Sequence, residues 1–362
     1  MSSRNIVVVG ASAGGFEALK TLVRGLPADL PASIFIVWHT SPKTPCVLAE
    51  ILDRLGTIPS GPARDRELIE SRRIYVAPPD HHLLVEKPRM CVTRGPKENR
   101  FRPAVDPLFR SAAYYYGQDV IGIILSGALD DGTSGLWTVK HYGGTAIVQD
   151  PNDAEVPSMP ENAIREVSVD HTVPVARMPE LLTALINDKR DPPRTPVVDA
   201  DDVHTRQLRT EIGIAAEKTR LDNGIGRLTP YTCPDCHGTL SALRDGDIAR
   251  FRCHGGHAFT ADSLLGTVTE NIESSLRTAV RGVDESIILL NHMGDHFAEI
   301  NQPRLAALYF RKAKEVRERN ESVRRAVLSH EQLGVDSVPE RSDRDDEVAA
   351  AVQQEMPARA ED

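Results

Sequence analysis

Ser12, His39 and Asp131 lie far apart in the sequence, yet each follows a short, continuously apolar segment. Such segments are typical of buried strands in a parallel sheet, and the carboxyl ends of those strands meet at one edge of the sheet. A serine nucleophile needs a base within hydrogen-bonding reach, and the base needs a carboxylate that fixes its tautomer. The three residues therefore predict a triad in which Ser12 is the nucleophile, His39 the base and Asp131 the orienting acid.

Ser12 lies in the turn Gly10-Ala-Ser-Ala-Gly14, between an apolar run and an amphipathic segment. Glycines permit a sharp strand-to-helix turn that lifts a serine hydroxyl to the edge of the sheet, as in a nucleophile elbow. The N–H groups of Ala13 and Gly14 at the start of the helix are candidates for binding an oxyanion. The same turn is compatible with phosphate binding, or with Ser12 as a helix N-cap only. The spacing is not Gly-x-Gly-x-x-Gly and no Lys follows, which argues against a nucleotide site.

The other two residues of the predicted triad also have structural alternatives. A lone histidine after an apolar strand is often a hydrogen-bonded core residue. Asp131, next to Gly132, suits a turn or a helix N-cap, and the adjacent Asp130 competes for any catalytic role. The occurrence of three chemically matched residues at three strand ends favours the triad over these alternatives.

The charge and composition of the chain argue against several classes of function. Its 362 residues carry a net charge of −9, which disfavours binding to nucleic acid. No apolar run approaches the roughly 20 residues of a membrane-spanning helix, and the N-terminus lacks the pattern of a signal peptide. We therefore expect a soluble, cytoplasmic protein that inserts into no membrane.

Apolar, strand-like segments alternate with amphipathic, helix-like segments from the N-terminus to about residue 190. This alternation predicts an α/β fold with a doubly wound, mostly parallel sheet. A stretch rich in proline and charge then suits a linker. The predicted organisation is a catalytic domain over 1–190, a linker with a short helix over 191–228, a small zinc-ribbon-like module over 229–260, a helical hairpin over 261–333 and a disordered acidic tail over 334–362.

Four potential metal ligands cluster in the second half of the sequence: Cys233, Cys236, Cys253 and His257. Two pairs of soft ligands on separate turns are typical of a tetrahedral structural zinc site. His254 is an alternative fourth ligand, and redox chemistry is an alternative role for the Cys-x-x-Cys motif, although that motif usually precedes a helix near a βαβ unit. Four protein ligands leave no position for a substrate, so we expect the zinc to be structural and catalysis to need no cofactor.

Leucine, isoleucine and valine recur at helical spacing over about 261–296 and again over about 303–331. This pattern predicts a long αα-hairpin whose charged faces are solvated. A sharper hypothesis is that the hairpin docks onto a receptor coiled coil or a partner kinase. In that case, deletion of residues 229–333 weakens partner binding but does not abolish hydrolysis of a small ester.

Six short motifs follow one another between residues 3 and 190. They are Gly10-Ala-Ser-Ala-Gly-Gly15, Trp38-His39, Ala77-Pro-Pro-Asp-His-His82, Arg102-Pro-Ala-Val-Asp106, Ser126-Gly-Ala-Leu-Asp-Asp-Gly132 and Ser158-Met-Pro160. Together they resemble the catalytic domain of the bacterial chemoreceptor protein-glutamate methylesterases of the CheB type. The resemblance covers about half of the chain.

The resemblance assigns the same roles as the strand-end pattern: Ser12 matches the family's nucleophile, His39 its base and Asp131 its orienting carboxylate. The implied reaction is hydrolysis of glutamate γ-methyl esters on the cytoplasmic helices of chemoreceptors or of a related signalling protein. Deamidation of glutamine is implied as a side activity, and the implied context is chemotaxis-type signal transduction.

The sequence departs from the family's pattern at three positions near the motifs. Phe101 stands where histidine is common, Ala104 where serine is common and Ala128 where methionine is common. The sequence also opens directly on the first catalytic strand, so we expect no receiver domain ahead of it and no activation through phosphorylation of this chain. An alternative function is therefore a catalytically weak or inactive methylesterase-like binding protein that acts through the zinc module and the hairpin.

Overall fold

A seven-stranded sheet forms the centre of the first of two structural units. In the computed structural model the described residues are 5–43, 46–188, 203–219 and 226–328, and the chain divides into the two units between Leu264 and Leu265. The strands that precede the predicted linker are β1 (Ile6–Ala11), β2 (Ser33–Trp38), β3 (Ser60–Pro62), β4 (Arg73–Val76), β5 (His82–Glu86), β6 (Arg89–Thr93), β7 (Val120–Ile124), β8 (Thr145–Gln149) and β9 (His171–Val173).

The central sheet has the strand order β3-β4-β2-β1-β7-β8-β9. Each pairing of its described strands is parallel. The strands β5 and β6 form a separate antiparallel hairpin, which the sequence predicted at the same residues. The doubly wound α/β fold that the alternation of segments predicted is confirmed.

Helices cover both faces of the sheet because its central strands are mainly apolar and are buried on both sides. The helices are α1 (Gly15–Gly25), α2 (Val47–Leu55), α3 (Val105–Tyr116), α4 (Thr133–His141), α5 (Ser158–Glu166), α6 (Met178–Asn187) and α7 (Val203–Ala215). In β1, Val7 and Val9 pack in the core that includes residues of α1, α2 and α6. Ile6 and Val8, which point to the opposite face, pack in the core that includes residues of α3, α4, α5 and α7.

The direction of chain connection changes at β1, which lies between β2 and β7. In an open parallel sheet such a switch creates a crevice outside the carboxyl ends of the strands. Ser12 follows β1, His39 follows β2 and Asp131 lies in the loop between β7 and α4. The topology therefore places the three predicted triad residues at one edge of the sheet.

The metal-ligand cluster lies in a small antiparallel sheet, here called the ribbon. Its strands are β10 (Arg227–Thr232), β11 (Thr239–Asp245), β12 (Ile248–Cys253) and β13 (Ala258–Thr260), in that spatial order. The short helix predicted within the linker corresponds in position to α7. Residues 189–202 and 220–225 of the predicted linker, and the whole of the predicted tail over 334–362, lie outside the described residues.

A buried network of charges joins α7 and the ribbon to the α/β sheet. Its members are three arginines and three acids, all at most 2% exposed: Arg110, Arg250, Arg252, Glu98, Glu211 and Asp245. Arg252 Nη2 lies 2.8 Å from Glu98 Oε1 and 3.0 Å from Glu211 Oε1. Glu98 also pairs with Arg110 of α3, and Arg250 pairs with Glu211 and Asp245. The three arginines are matched by these three acids, as burial of ionised groups requires, and Arg110 also lies 3.9 Å from Asp106, whose pKa burial raises to about 7.

The second unit contains most of α8 (Ala261–Glu299) and all of α9 (Pro303–Leu328). The two helices form an antiparallel hairpin, since Phe297 stacks on Tyr309 near the turn and Asp284 pairs with Arg324 at 2.7 Å further along. None of the described helices combines the length and the hydropathy that crossing a bilayer requires.

Candidate active site

Ser12 occupies a tight turn between β1 and α1 that only glycine at position 14 permits. Gly14 has φ +70°, and a Cβ built on it would lie 2.6 Å from Glu155 Cβ and 2.6 Å from Ser126 Oγ. The Ser12 N–H donates to the Ser126 carbonyl at 2.9 Å. The Trp38 indole N–H donates to the Ser12 carbonyl at 3.0 Å. These contacts fix the turn in which the sequence predicted a nucleophile elbow.

The loop after β7 supports the elbow from the other side. Ser126 Oγ donates to the Ala13 carbonyl at 2.8 Å and accepts the Val156 N–H at 2.9 Å. A Cβ on Gly127 would lie 2.8 Å from Ser12 Cβ, so the two backbones approach each other closely. Ser126 is therefore held by backbone contacts from two different loops.

Two backbone N–H groups in this turn are the ones that the sequence predicted as candidates for binding an oxyanion. The Ser12 N–H is bonded to Ser126, and the Gly15 N–H donates to the Ser12 carbonyl at 3.0 Å. The N–H groups of Ala13 and Gly14 belong to neither of these hydrogen bonds. They lie at the start of α1, where the helix dipole also favours negative charge.

His39 contacts both of the other predicted triad residues. Its Nδ1 lies 3.1 Å from Ser12 Oγ, and its Nε2 lies 2.7 Å from Asp131 Oδ2. With the ring proton on Nε2, where the carboxylate accepts it, Nδ1 is the acceptor for the Ser12 hydroxyl. The ring is therefore oriented as a general base for Ser12.

The His39 ring is packed against an aromatic side chain. Phe101 stacks on it with ring centroids 3.8 Å apart and planes 10° from parallel. His39 is only 9% exposed, whereas Ser12 is partly exposed. The stacking holds the imidazole plane, and the exposure of Ser12 leaves a substrate access to the hydroxyl.

Asp131 is buried and accepts several hydrogen bonds in addition to that of His39. The Val105 N–H donates to its Oδ2 at 2.6 Å, and Asn99 Nδ2 donates to its Oδ1 at 2.8 Å. Burial by itself favours the neutral acid, but the His39 contact, the Val105 N–H and the Asn99 amide outweigh it and lower the pKa of Asp131. The carboxylate is therefore ionised and fixed beside the imidazole.

Two other aspartates lie near Asp131 but do not contact His39. Burial and the charge of Asp131 raise the pKa of Asp106 to about 7. Asp130 accepts the Thr260 hydroxyl at 2.7 Å, and burial raises the pKa of Asp130 to about 8 against that hydrogen bond. Of the two adjacent acids that the sequence left in competition, Asp131 is the one beside the imidazole.

Several residues that build the site were not assigned a role from the sequence: Trp38, Asn99, Phe101, Val105, Asp106 and Ser126. Asn99 carries one local signal, because its φ of +47° is a conformation in which asparagine is tolerated better than most residues. That signal predicts backbone geometry only. Its contact with Asp131, 32 residues further along, depends on the tertiary fold.

The four predicted metal ligands converge in the ribbon. Cys236 Sγ and Cys253 Sγ lie 3.5 Å apart, and His257 Nδ1 lies 3.5 Å from Cys253 Sγ and 3.8 Å from Cys233 Sγ. All four ligand atoms lie within 4.8 Å of one another. In a tetrahedral zinc site with Zn–S bonds of about 2.3 Å the ligand atoms are about 3.8 Å apart. The geometry therefore fits a zinc ion.

The cluster favours a thiolate at Cys253 at the expense of Cys233, because the hydrogen bond between them raises the pKa of Cys233. A hydrogen bond from Cys233 lowers the pKa of Cys253 to about 3, against burial and with a further contribution from His257. The thiolate is the form of cysteine that binds metal. The alternative ligand His254 lines a surface cleft with Pro96 and Gly255 and is not part of the four-residue cluster among the described residues.

Comparison with known proteins assigns relatives to the first half of the chain. The family model described as CheB methylesterase matches residues 7–182. A protein of Leptospira interrogans named "Putative protein-glutamate methylesterase/protein-glutamine glutaminase" is 40% identical over 180 residues, which are 49% of this chain and 93% of that protein. A protein of Thermotoga maritima named "Protein-glutamate methylesterase/protein-glutamine glutaminase" is 36% identical over 188 residues, which are 51% of this chain and 55% of that protein.

A solved structure matches the same half. The crystal structure of the Thermotoga maritima CheB methylesterase catalytic domain shares 35% sequence identity, with a TM-score of 0.49, over 50% of this chain and 98% of that one. The ribbon and the helical hairpin lie beyond the residues that the family model matches.

Proposed function

Because this chain belongs to the CheB methylesterase family, we propose that it is a serine hydrolase that removes γ-methyl esters from glutamates of a signalling protein. The observation that carries the proposal is the position of His39, 3.1 Å from Ser12 Oγ through Nδ1 and 2.7 Å from Asp131 Oδ2 through Nε2. A hydroxyl, an imidazole and an ionised carboxylate in this order are the groups that acyl transfer requires.

In the acylation half of the reaction, Ser12 Oγ attacks the ester carbonyl carbon while its proton moves to His39 Nδ1. Asp131 stabilises the imidazolium through Nε2–H. The N–H groups of Ala13 and Gly14 bind the oxyanion of the tetrahedral intermediate, and loss of one such donor typically lowers kcat about 100- to 1000-fold. The bond to the methoxy oxygen then breaks, and His39 returns the proton so that methanol leaves.

In the deacylation half, water attacks the acyl-serine while His39 accepts its proton. The tetrahedral intermediate collapses, the proton returns to Ser12 Oγ, and a free glutamate carboxylate is released. The same sequence of steps on a glutamine side chain releases ammonia in place of methanol, which accounts for a glutaminase side activity. The chain's own residues supply every proton transfer, so the mechanism includes no cofactor.

The substrate in this proposal is a methylated glutamate on the cytoplasmic helices of a chemoreceptor or of a related signalling protein. The support is membership of a family whose relatives are named for methylesterase and glutaminase activity on protein-bound glutamate and glutamine. Because those helices face the cytoplasm, we place the enzyme there.

The ribbon in this proposal holds a structural zinc ion through Cys233, Cys236, Cys253 and His257. The mutual distances of the four ligand atoms support it. All four positions of a tetrahedron are taken by protein, which leaves no position for a substrate or a reactive water. The zinc thus stabilises the ribbon, a module with few apolar residues of its own.

Release of methanol from a methylated receptor, compared between the wild type and Ser12→Ala, tests the proposed reaction. We expect release by the wild type and none above background by Ser12→Ala. The matched control is Ser286→Ala, because the Ser286 hydroxyl donates within α8, to the Gly282 carbonyl at 2.8 Å. This variant should match the wild type. Equal release by Ser12→Ala would remove Ser12 as nucleophile. No release by the wild type would favour a regulatory binding protein that acts through the ribbon and the hairpin.

A further inference from the structure

We propose that Asn99 is a positioning residue for Asp131, and that strand β13 of the ribbon holds Asn99 in place. The ribbon then completes the esterase site, although it lies outside the residues that the family model matches. This inference rests on the proposed function of the triad.

The Asn99 side-chain amide lies between two carboxylates. Its Nδ2 is 2.8 Å from Asp131 Oδ1 and 2.9 Å from Asp106 Oδ2, and the residue is 3% exposed. An amide nitrogen has two protons, so each carboxylate accepts one of them. The amide thereby holds the Asp131 oxygen that His39 does not use and separates two acids that would otherwise repel each other.

The ribbon determines how this amide is oriented. The Thr260 N–H donates to Asn99 Oδ1 at 2.9 Å, and the Asn99 N–H donates to the Ala258 carbonyl at 2.8 Å. A backbone N–H can only donate, so the amide oxygen must face Thr260 and the amide nitrogen must face the carboxylates. Strand β13 therefore selects the orientation that makes Asn99 a donor to Asp131.

The orientation of the Asp131 carboxylate depends on its hydrogen bond from Asn99, because the other contacts hold mainly one of its two oxygens. Oδ2 is shared between the Val105 N–H and His39, whereas the only other contact of Oδ1 is the Asp106 N–H at 3.4 Å, among the described residues. Without the amide, Oδ1 is held weakly and faces the Asp106 carboxyl. The carboxylate then rotates or takes up a proton, and His39 loses its fixed partner.

The ribbon's contact with Asn99 changes what a deletion is expected to do. Removal of residues 229–333 eliminates Ala258 and Thr260 together with their hydrogen bonds to Asn99. We therefore expect such a deletion to lower hydrolysis of a small ester, in contrast to the expectation from the sequence that only partner binding weakens.

Asn99→Gly removes the amide while preserving the backbone conformation, because glycine tolerates φ +47°. We expect kcat for a methyl ester to fall about 10- to 100-fold, the range expected when a catalytic group is misplaced by up to about 1 Å, while KM stays within about twofold. The matched control is Asn301→Gly, at an exposed turn residue with φ +57°, which should change neither constant.

Proton NMR gives a readout that does not depend on turnover. The His39 Nε2–H, hydrogen-bonded to Asp131, should give a downfield resonance that is identified by its loss in His39→Gln. We expect this resonance to shift or broaden in Asn99→Gly and to be unchanged in Asn301→Gly. An unchanged resonance together with an unchanged kcat in Asn99→Gly would overturn the positioning role.

Amide hydrogen exchange tests whether strand β13 of the ribbon holds Asn99 in place. The Thr260 N–H should exchange faster in Asn99→Gly than in the wild type, because its acceptor is removed, and at the wild-type rate in Asn301→Gly. Equal protection of Thr260 in all three proteins would overturn the link to β13. If the wild type releases no methanol, the proposed function fails, yet the resonance and the exchange rates still decide whether Asn99 positions Asp131.

Discussion

Arg252 Nη2 and Glu98 Oε1 lie 2.8 Å apart, and each side chain is 1% exposed. Arg252 precedes the candidate zinc ligand Cys253, and Glu98 precedes Asn99, whose amide contacts Asp131. One buried ion pair therefore joins the strand that carries Cys253 to the loop that carries Asn99. This relationship explains how the ribbon, which lies outside the residues that the family model matches, can hold the loop beside Asp131 in place.

The Arg252–Glu98 pair should be important for stability because removal of one partner leaves a buried charge without compensation. We expect Arg252→Met to lower the free energy of unfolding by about 3–5 kcal/mol. The matched control is Lys218→Met, which breaks the exposed pair with Glu86 at 2.6 Å and should cost less than about 1 kcal/mol. Denaturant titration of both variants measures the difference. Equal losses would show that the buried network does not hold the ribbon to the sheet.

Asp130 should make stability fall as pH rises. Its pKa is about 8 in the folded protein against 3.8 as the reference value, so between these pH values the folded state binds more protons than the unfolded state. Stability then decreases with increasing pH across that window, by about 1.4 kcal/mol for each unit of pKa difference at most. The asparagine of the Asp130→Asn variant cannot titrate, yet its side-chain oxygen can still accept the Thr260 hydroxyl. We therefore expect the Tm of Asp130→Asn to exceed that of the wild type increasingly from pH 5 to pH 9.

The control for this pH dependence is Asp29→Asn, at an exposed aspartate. We expect the Tm difference between this variant and the wild type to be the same at each pH of that range. A constant difference for Asp130→Asn as well would mean that Asp130 is ionised in the folded protein at neutral pH.

The two neighbouring histidines of the ribbon provide a sharp test of the metal site. His257 Nδ1 lies 3.5 Å from Cys253 Sγ, whereas His254 lines a surface cleft. We expect the wild type and His254→Ala to retain one equivalent of zinc after gentle purification, and His257→Ala to lose it. Metal analysis measures the stoichiometry. Structural zinc contributes roughly 10–16 kcal/mol in small zinc-binding peptides, so a chelator should also lower the Tm of the wild type. Absence of zinc from the purified wild type would contradict the proposed metal site.

The pattern of apolar strands was sufficient to predict the sheet and the residues at its edge. Ser12, His39 and Asp131 were predicted because a parallel topology brings strand ends together whatever the length of chain between them. The contacts that support them were not predictable in this way. Asn99 and Thr260 are 161 residues apart, and no period or local propensity relates them.

The buried charge network is a second feature that the sequence did not predict. In a sequence, charged residues such as Glu98, Glu211 and Arg252 are most simply interpreted as solvated surface. Their burial is stable only because arginines of α3 and the ribbon meet acids of α7, of the ribbon and of the loop before α3. This meeting of charges is a property of the assembled unit, and no pattern in the sequence indicates it.

Gly127 should be essential for the position of Ser12. A Cβ at residue 127 would overlap Met159 Sδ and lie 2.8 Å from Ser12 Cβ. The methionine is flexible and can move, but Ser12 is held by the Ser126 carbonyl and Trp38, so Gly127→Ala must displace the nucleophile. We expect kcat to fall about 100-fold, the loss expected for a displacement of about 1 Å.

Gly282→Ala is the matched control, because no atom lies within 4 Å of the added Cβ in α8. This control should leave kcat unchanged and stabilise the helix by about 0.5–1 kcal/mol. The double variant Gly127→Ala/Met159→Ala separates the overlap of the new Cβ with Met159 from its overlap with Ser12. If steady-state kinetics show that kcat recovers in the double variant, the overlap with Met159, and not the displacement of Ser12, causes the loss.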